Sequence, residues 1–263
     1  MYWVLQDDIY GEEGFGRLLE ALDHLRLPHS VHKVRPFVGT LDPEPQPPPG
    51  PVVVMGSYSL VRIARERGWR PGAWTNDSLD FVEQDRRWGA AMFNHGALVV
   101  PLSDVPEQRE PFFLRPCRDT KEFAGRVMDW RGFEKWRASA TSATPENGAA
   151  VPAGLPVMVC RRRSALQEHR LWIVGGRAVT ASTYRKGSWK HYDARVDPHV
   201  VEFGERMAVE WSPADAYAMD VAETDDGPRI MEVNNINAAG FYAADMNRLV
   251  IALEDLVARQ GSA

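Results

Sequence analysis

The sequence predicts an α/β protein: a small α/β lobe at the start, followed by two α+β lobes built on antiparallel hairpins. Three observations predict it. Short β-branched runs alternate with helical periodicity over residues 1–75. A Pro-rich interruption there is followed at once by another strand, so it is a loop and not a linker. After residue 157 the chain reads as two hairpins, each followed by a helix. The boundaries fall at 1–75, 76–156 and 157–263.

Taken in order, residues 2–6 read as a strand, and Phe15, Leu18, Leu19, Leu22 and Leu25 repeat with the period of a helix. Val31 to Val38 is a second strand. Residues 42–51 carry so many prolines that neither helix nor central strand is possible. Val52 to Met55 is a third strand, and Leu60 to Arg67 a helix. The second lobe begins with a helix from Leu79 to Arg87, capped by Asn76 or Asp77. Strands follow near 97–100 and 112–116. The small, polar stretch 138–148 reads as a flexible loop. Residues 156–160 open the third lobe. It continues with a hairpin (168–174, turn Gly175-Gly176, 178–184), a helix at 199–210, an acidic hairpin and a final helix at 243–259.

Bulk properties narrow the function. The 263 residues suffice for two or three small cores. A net charge of −5 gives no electrostatic footprint for nucleic acid or an anionic membrane. No apolar run approaches the roughly 18–20 residues of a membrane span. The first residues turn acidic too early for a signal peptide. The two cysteines, Cys117 and Cys160, lack metal-ligand spacing and fit a reduced cytoplasm.

The most informative residues are Asp220, Glu232 and Asn234. Two apolar runs, 218–222 and 229–234, flank the turn Thr224-Asp225-Asp226-Gly227-Pro228, which makes a hairpin. Glu232 and Asn234 are two apart and share a face. Asp220, on the neighbouring strand, reaches the same face. Two carboxylates and a carboxamide form an all-oxygen site suited to Mg²⁺ with phosphate oxygens completing its shell. An acidic hairpin at a solvated sheet edge has the same spacing, so this reading leans on what surrounds it.

Two basic groups accompany it. Arg115 at the end of a strand and Lys121 in the polar turn after it suit phosphate oxygens, though an ordinary basic surface turn has the same residues. Glu168 and Arg170 share a strand face. Arg185 ends the strand paired with theirs and projects to the same place; a cross-strand ion pair explains these residues equally well. His169 points the other way and reads as structural. No GxxxxGK[ST], GxGxxG or GxSxG is present, which removes a P-loop, a dinucleotide fold and a nucleophile elbow as motifs.

Together these segments resemble the ATP-grasp superfamily, and most closely its clade named for two arginines and a lysine. The resemblance rests on Leu114-Arg115-Pro116, Asp119, Lys121, Phe123 and Gly125; on Glu168-x-Arg170; on Ser182-x-Tyr184-Arg185; and on Glu232-Val233-Asn234 ending in Ala239-Gly240-Phe241-Tyr242. It covers about residues 76–260, and the third lobe is similar to that of ribosomal-protein glutamate ligase.

The resemblance implies an ATP-grasp fold in which two lobes clasp ATP behind an α/β pre-domain. It also implies an ADP-forming carboxylate–amine ligase working through an acylphosphate. Asp220, Glu232 and Asn234 would hold one or two Mg²⁺ ions, with Mn²⁺ able to substitute. Arg115 and Lys121 would contact the α- and β-phosphates. Met158, Val159 and Cys160 would be the adenine hinge. Arg170 and Arg185 would face the transferred phosphoryl group and the substrate carboxylate.

The chain departs from the superfamily in three places. Arg161 to Arg163 stand where an acidic ribose contact is usual, which leaves Glu168 for the ribose. The Gly-rich phosphate loop is reduced to Gly125. The loop after Arg185 is short. The substrates implied are a carboxylate and an amine from an amino acid, a peptide or a protein terminus. The alternatives are an ATP-grasp small-molecule kinase and a nucleotide-binding module without catalysis.

Overall fold

The structure, a computed structural model, describes the chain except residues 8–12, 36–38, 75–78, 119–121, 143–149 and 262–263. In chain order its elements begin with β1 (Tyr2–Gln6), α1 (Glu13–His24), β2 (His29–Arg35), β3 (Thr40–Asp42), β4 (Val52–Met55), α2 (Tyr58–Glu66) and β5 (Pro71–Gly72). Next come α3 (Phe81–Trp88), β6 (Leu98–Pro101), β7 (Phe112–Pro116), β8 (Arg126–Met128), α4 (Trp130–Thr141) and β9 (Pro156–Arg161). The last part holds β10 (Gln167–Val174), β11 (Arg177–Lys186), β12 (Trp189–Asp193), α5 (Pro198–Glu210), β13 (Ala216–Thr224), β14 (Gly227–Asn235) and α6 (Met246–Gly261).

These elements form two compact units. The first joins Met1–Asn76 to Leu166–Ala263, and the second is Asp77–Ala165. The sequence pattern puts residues 156–160 at the start of the C-terminal lobe. In the structure β9 instead sits between β6 and β7, in the sheet β6-β9-β7-β8 of the second unit. An apolar strand open on both edges needs two neighbours, and the alternation of hydrophobic residues cannot say which two.

The first unit has two sheets. One has the order β3-β2-β1-β4-β5, with β1 parallel to both β2 and β4. The parallel pairs follow from the strand–helix–strand pattern, because parallel neighbours need a crossover connection. The other sheet, β12-β11-β10-β13-β14, is antiparallel in every pairing. One core joins them: Trp3, Leu5, Leu18 and Leu22 pack with Trp172, Phe241, Leu249 and Leu253. Trp3 Nε1 donates to Glu254 Oε1 at 2.6 Å. On the far side of the antiparallel sheet α5 lies close. A β-carbon on Gly204 would stand 2.4 Å from the Leu171 side chain, so only glycine lets the helix settle there.

The second unit closes on Phe112, Leu114, Phe133, Val157 and Val159, all buried. Phe112 and Phe133 meet edge to face, with centroids 5.5 Å apart.

The structure departs from local expectation in several places. The cap of α3 is Asp80, whose side chain accepts from Val82 N at 2.8 Å; Asn76 and Asp77 lie outside the described residues. The stretch read as a flexible loop from 138 is helical through Thr141, as the end of α4; its remainder at 143–148 lies outside the described residues. Alanine-rich sequence supports helix as readily as loop. The short loop after Arg185 is a tight turn into β12, and β3 and β8 are short strands with too few residues to show a period. Among the described residues no helix is long and apolar enough to cross a membrane.

Candidate functional site

Register builds the site in the first unit. On β10, residues at even positions point to one face of the antiparallel sheet. Arg170 stands opposite Asp220 of β13, and Asp220 stands opposite Glu232 of β14. Asn234, two residues along β14, pairs with Ala218 and shares the face. Glu168 stands opposite Arg185 of β11. Six of the residues chosen from the sequence therefore converge: Glu168, Arg170, Arg185, Asp220, Glu232 and Asn234.

The central contact differs from the expectation for Arg170. Its guanidinium grips Asp220 with both arms, Nε to Oδ1 and Nη2 to Oδ2, each at 2.7 Å. Nη1 donates to the Gly240 carbonyl at 3.3 Å. Glu168 instead pairs with Arg185, Oε1 to Nε at 3.4 Å. Arg170 and Asp220 are both buried, whereas Arg185 is partly exposed.

Asn234 completes the corner. Its Nδ2 donates to Asp220 Oδ2 and to Glu232 Oε1, each at 3.2 Å. Burial pushes the Asp220 carboxyl up to about 6; Arg170 pulls it down, and the neighbouring Glu232 and Glu168 carboxylates push it up. Arg170 itself is held firmly charged by Asp220, against the desolvation that opposes it. The two further carboxylates concentrate negative charge around Asp220, and a bound cation would relieve it.

The donor set fits Mg²⁺. Two carboxylates meet at one amide, and rotating the Asn234 amide presents Oδ1 in place of Nδ2. Among the described residues no cluster of three or more His, Cys, Asp or Glu side chains is arranged to hold a metal ion. A site with two acidic ligands and an amide is a different type, one in which phosphate oxygens supply the rest of the shell.

Aromatic rings wall the corner. Tyr184 and Tyr242 stack at 4.8 Å, and Tyr192 stacks on Tyr242 at 5.4 Å. The Arg170 guanidinium lies over Tyr242 at 4.9 Å and over Tyr184 at 5.8 Å. Sequence reasoning includes Tyr184 and Tyr242 in a pattern without a role, and it misses Tyr192. Tyrosines on separate strands and a loop carry no spacing signal. The loop itself is latched by Asn237, also missed, whose Nδ2 donates to the Val54 carbonyl at 2.6 Å and whose Oδ1 accepts from Trp74 N at 2.9 Å.

His169 faces away, as its parity requires. It is buried against Thr183 Oγ1 (2.9 Å) and Glu223 Oε2 (3.1 Å), and burial lowers its affinity for a proton despite Glu223.

The remaining candidates belong to the second unit. Arg115 on β7 is the register partner of Met158 on β9, and Cys160 is that of Phe113. Met158 and Val159 are buried, while Cys160 is half-buried with its thiol donating to Asn94 Oδ1 at 3.4 Å. Burial raises both thiols, Cys117 to about 12, so neither is a thiolate nucleophile. Gly125 lies against the Phe113 ring, where a β-carbon would sit 2.8 Å from it. Arg161, Arg162 and Arg163 are exposed. Lys121 and Asp119 lie outside the described residues.

Comparison with known proteins agrees with this architecture. A family model matches residues 30–253; it describes an ATP-grasp domain, family 3 of the clade named for two arginines and a lysine. No curated protein matches significantly. Among solved structures, a RimK domain ATP-grasp protein from Sphaerobacter thermophilus aligns over 96% of this chain and 100% of its own, with TM-score 0.58 and 16% identity. D-alanine–D-alanine ligase from Bacillus anthracis aligns over 98% of this chain and 97% of its own, with TM-score 0.59 and 11% identity. The ATP-grasp ligase PsnB, solved with a minimal precursor, Mg and ADP, aligns over 97% of each chain, with TM-score 0.54 and 13% identity. The chain has the ATP-grasp fold and belongs to the third ATP-grasp family of the clade named for two arginines and a lysine.

Proposed function

We propose that the protein is an ATP- and Mg²⁺-dependent carboxylate–amine ligase. The observation that carries this reading is the corner in which buried Asp220 meets half-buried Glu232 and Asn234 while buried Arg170 is clamped beside them. The folds of D-alanine–D-alanine ligase and PsnB, both named as ligases, support it.

In this reading a substrate carboxylate oxygen attacks the γ-phosphorus of ATP. A P–O bond forms, ADP leaves, and an acylphosphate results. An amine then attacks the acyl carbon, a C–N bond forms, phosphate leaves, and the amine gives up a proton. Asp220, Glu232 and Asn234 would hold Mg²⁺, which would supply charge neutralisation of the phosphate oxygens. Arg170 and Arg185 carry the positive charge needed as the phosphoryl group transfers, and Arg115 with Lys121 holds the other phosphates. Glu168 keeps Arg185 oriented across the strand pair and is the proposed ribose contact. Met158, Val159 and Cys160 are the proposed adenine strand. No protein nucleophile is required, consistent with two thiols that burial keeps protonated.

The test is an ADP-release screen over pairs of amino acids and peptides, with mass spectrometry of the products. ADP release that needs both a carboxylate and an amine, and yields a product joined by loss of water, is the expected result. Release with an alcohol alone would replace the ligase reading with a kinase. Nucleotide binding without release under any condition would leave a binding module. Arg115→Ala should weaken binding of a non-hydrolysable ATP analogue by about 1–3 kcal/mol by calorimetry, the range for a lost charge-assisted hydrogen bond.

A further inference from the structure

The loop after β14 contains a residue held in an unfavourable backbone conformation. Tyr242 has φ 47°, in the left-handed region where a side chain is disfavoured and glycine is the ordinary choice. The other described non-glycine residue with positive φ is Arg26, two residues past the end of α1, where this conformation is common. Tyr242 ends no α-helix. Its neighbours anchor the loop, and its own side chain packs at the edge of the main core. Phe241 is buried in the main core, Ala243 N donates to Ser182 Oγ at 3.1 Å, and Asp245 N donates to Thr180 Oγ1 at 2.9 Å.

The strain does place the Tyr242 ring on Arg170. A planar cation needs restraint both in its plane and above it to keep one orientation. Asp220 and the Gly240 carbonyl restrain Arg170 in plane. Tyr242 covers its face, and Tyr184 of β11 and Tyr192 of β12 both stack on that ring. The geometry points to Tyr242 as a positioning residue: its strained backbone fixes the plane of the Arg170 guanidinium for phosphoryl transfer. This rests on the ligase reading for the reaction, and not for the contact itself.

The experiment compares Tyr242→Gly, which relieves the backbone and removes the ring, with Tyr242→Phe, which keeps the aromatic face. Two readouts are used. One is the ¹⁵N–¹H signal of Arg170 Nε, assigned by its loss in Arg170→Lys. The other is ADP release. Tyr242→Gly should lower the melting temperature, because the ring packs at the edge of the core, shift and broaden the Arg170 signal, and lower kcat about tenfold with the KM for ATP within about twofold. Tyr242→Phe should restore both. An unchanged Arg170 signal in Tyr242→Gly overturns the inference, as does an unchanged kcat. Equal loss in Tyr242→Phe also overturns it, and so does a Tyr242→Gly protein that fails to fold while Tyr242→Phe folds. If the wild-type protein releases no ADP with any substrate pair, the ligase reading fails, and the Arg170 signal still decides the positioning role.

Discussion

The two faces of the β10–β13–β14 sheet come from the same strands and differ by one residue of parity. On one face stand Arg170, Asp220, Glu232 and Asn234. On the other stand Leu171, Met219, Val221 and Val233, all buried, with Gly204 of α5 against Leu171. Both faces hide charged or polar groups, but they satisfy them differently. His169, on the packing face, is closed off by Thr183 and Glu223. Asp220, on the other, has a guanidinium and an amide and still sits beside further carboxylates, which push its carboxyl up. A buried polar group with all its partners is structure. A buried group surrounded by like charge is held there at a stability cost, and that cost is better explained by chemistry.

The largest expected effect separates two residues within the site face. Asp220→Ala leaves Arg170 buried without its partner and should destabilise the fold by about 3–5 kcal/mol. Glu232→Gln removes one carboxylate from a half-buried position, so it should abolish ADP release while denaturant unfolding stays close to wild type. If Glu232→Gln retains normal turnover at saturating Mg²⁺, the metal assignment is wrong.

Next comes the packing face. Leu171→Ala should lower stability by about 2–5 kcal/mol, since it opens a cavity under α5. The KM for ATP of the folded fraction should not change. A raised KM would mean that the two faces are coupled, and would blur the contrast between them.

The smallest effect is a slope with pH. Burial lowers the His169 pKa below its ordinary 6.5. In the window beneath that value the unfolded chain binds more protons than the folded one, so stability is full above it and is lost as pH falls through the folded pKa. His169 therefore contributes a fall in melting temperature on acidification from pH 7, which the raised Asp220 carboxyl opposes, so His169→Gln should make the slope of melting temperature against pH less positive than in wild type. An unaltered slope in the variant would assign the acid sensitivity elsewhere.

Parity explains what was legible in the sequence. The hairpin at 218–234 was readable because its turn is unambiguous and both strands alternate, and from that the convergence of Asp220, Glu232 and Asn234 follows. The partner of Arg170 was not readable. Glu168 is two residues away in sequence, yet register across β10 and β13 makes Asp220 the partner, and register depends on how strands distant in sequence align. The neighbours of β9 were hidden for the same reason. The bulges beside Asp220 and Glu168, which shift one strand by a residue, leave no mark in composition. Nor does the left-handed backbone at Tyr242, because tyrosine gives no hint of it.

The division of the chain bears on how it is made. The second unit is one continuous segment, and its core of Phe112, Phe133 and Val157 can close as soon as that segment is complete. The first unit is split around it. Trp3 meets Glu254 across 251 positions, and the core beneath β1 is finished by Leu249 and Leu253 of the last helix. The N-terminal strands must therefore wait for the last helix with an apolar face uncovered, a long-range closure that is intrinsically slow. Topology thus gives the inserted segment the shorter closures and the unit bearing the acidic corner the longer ones.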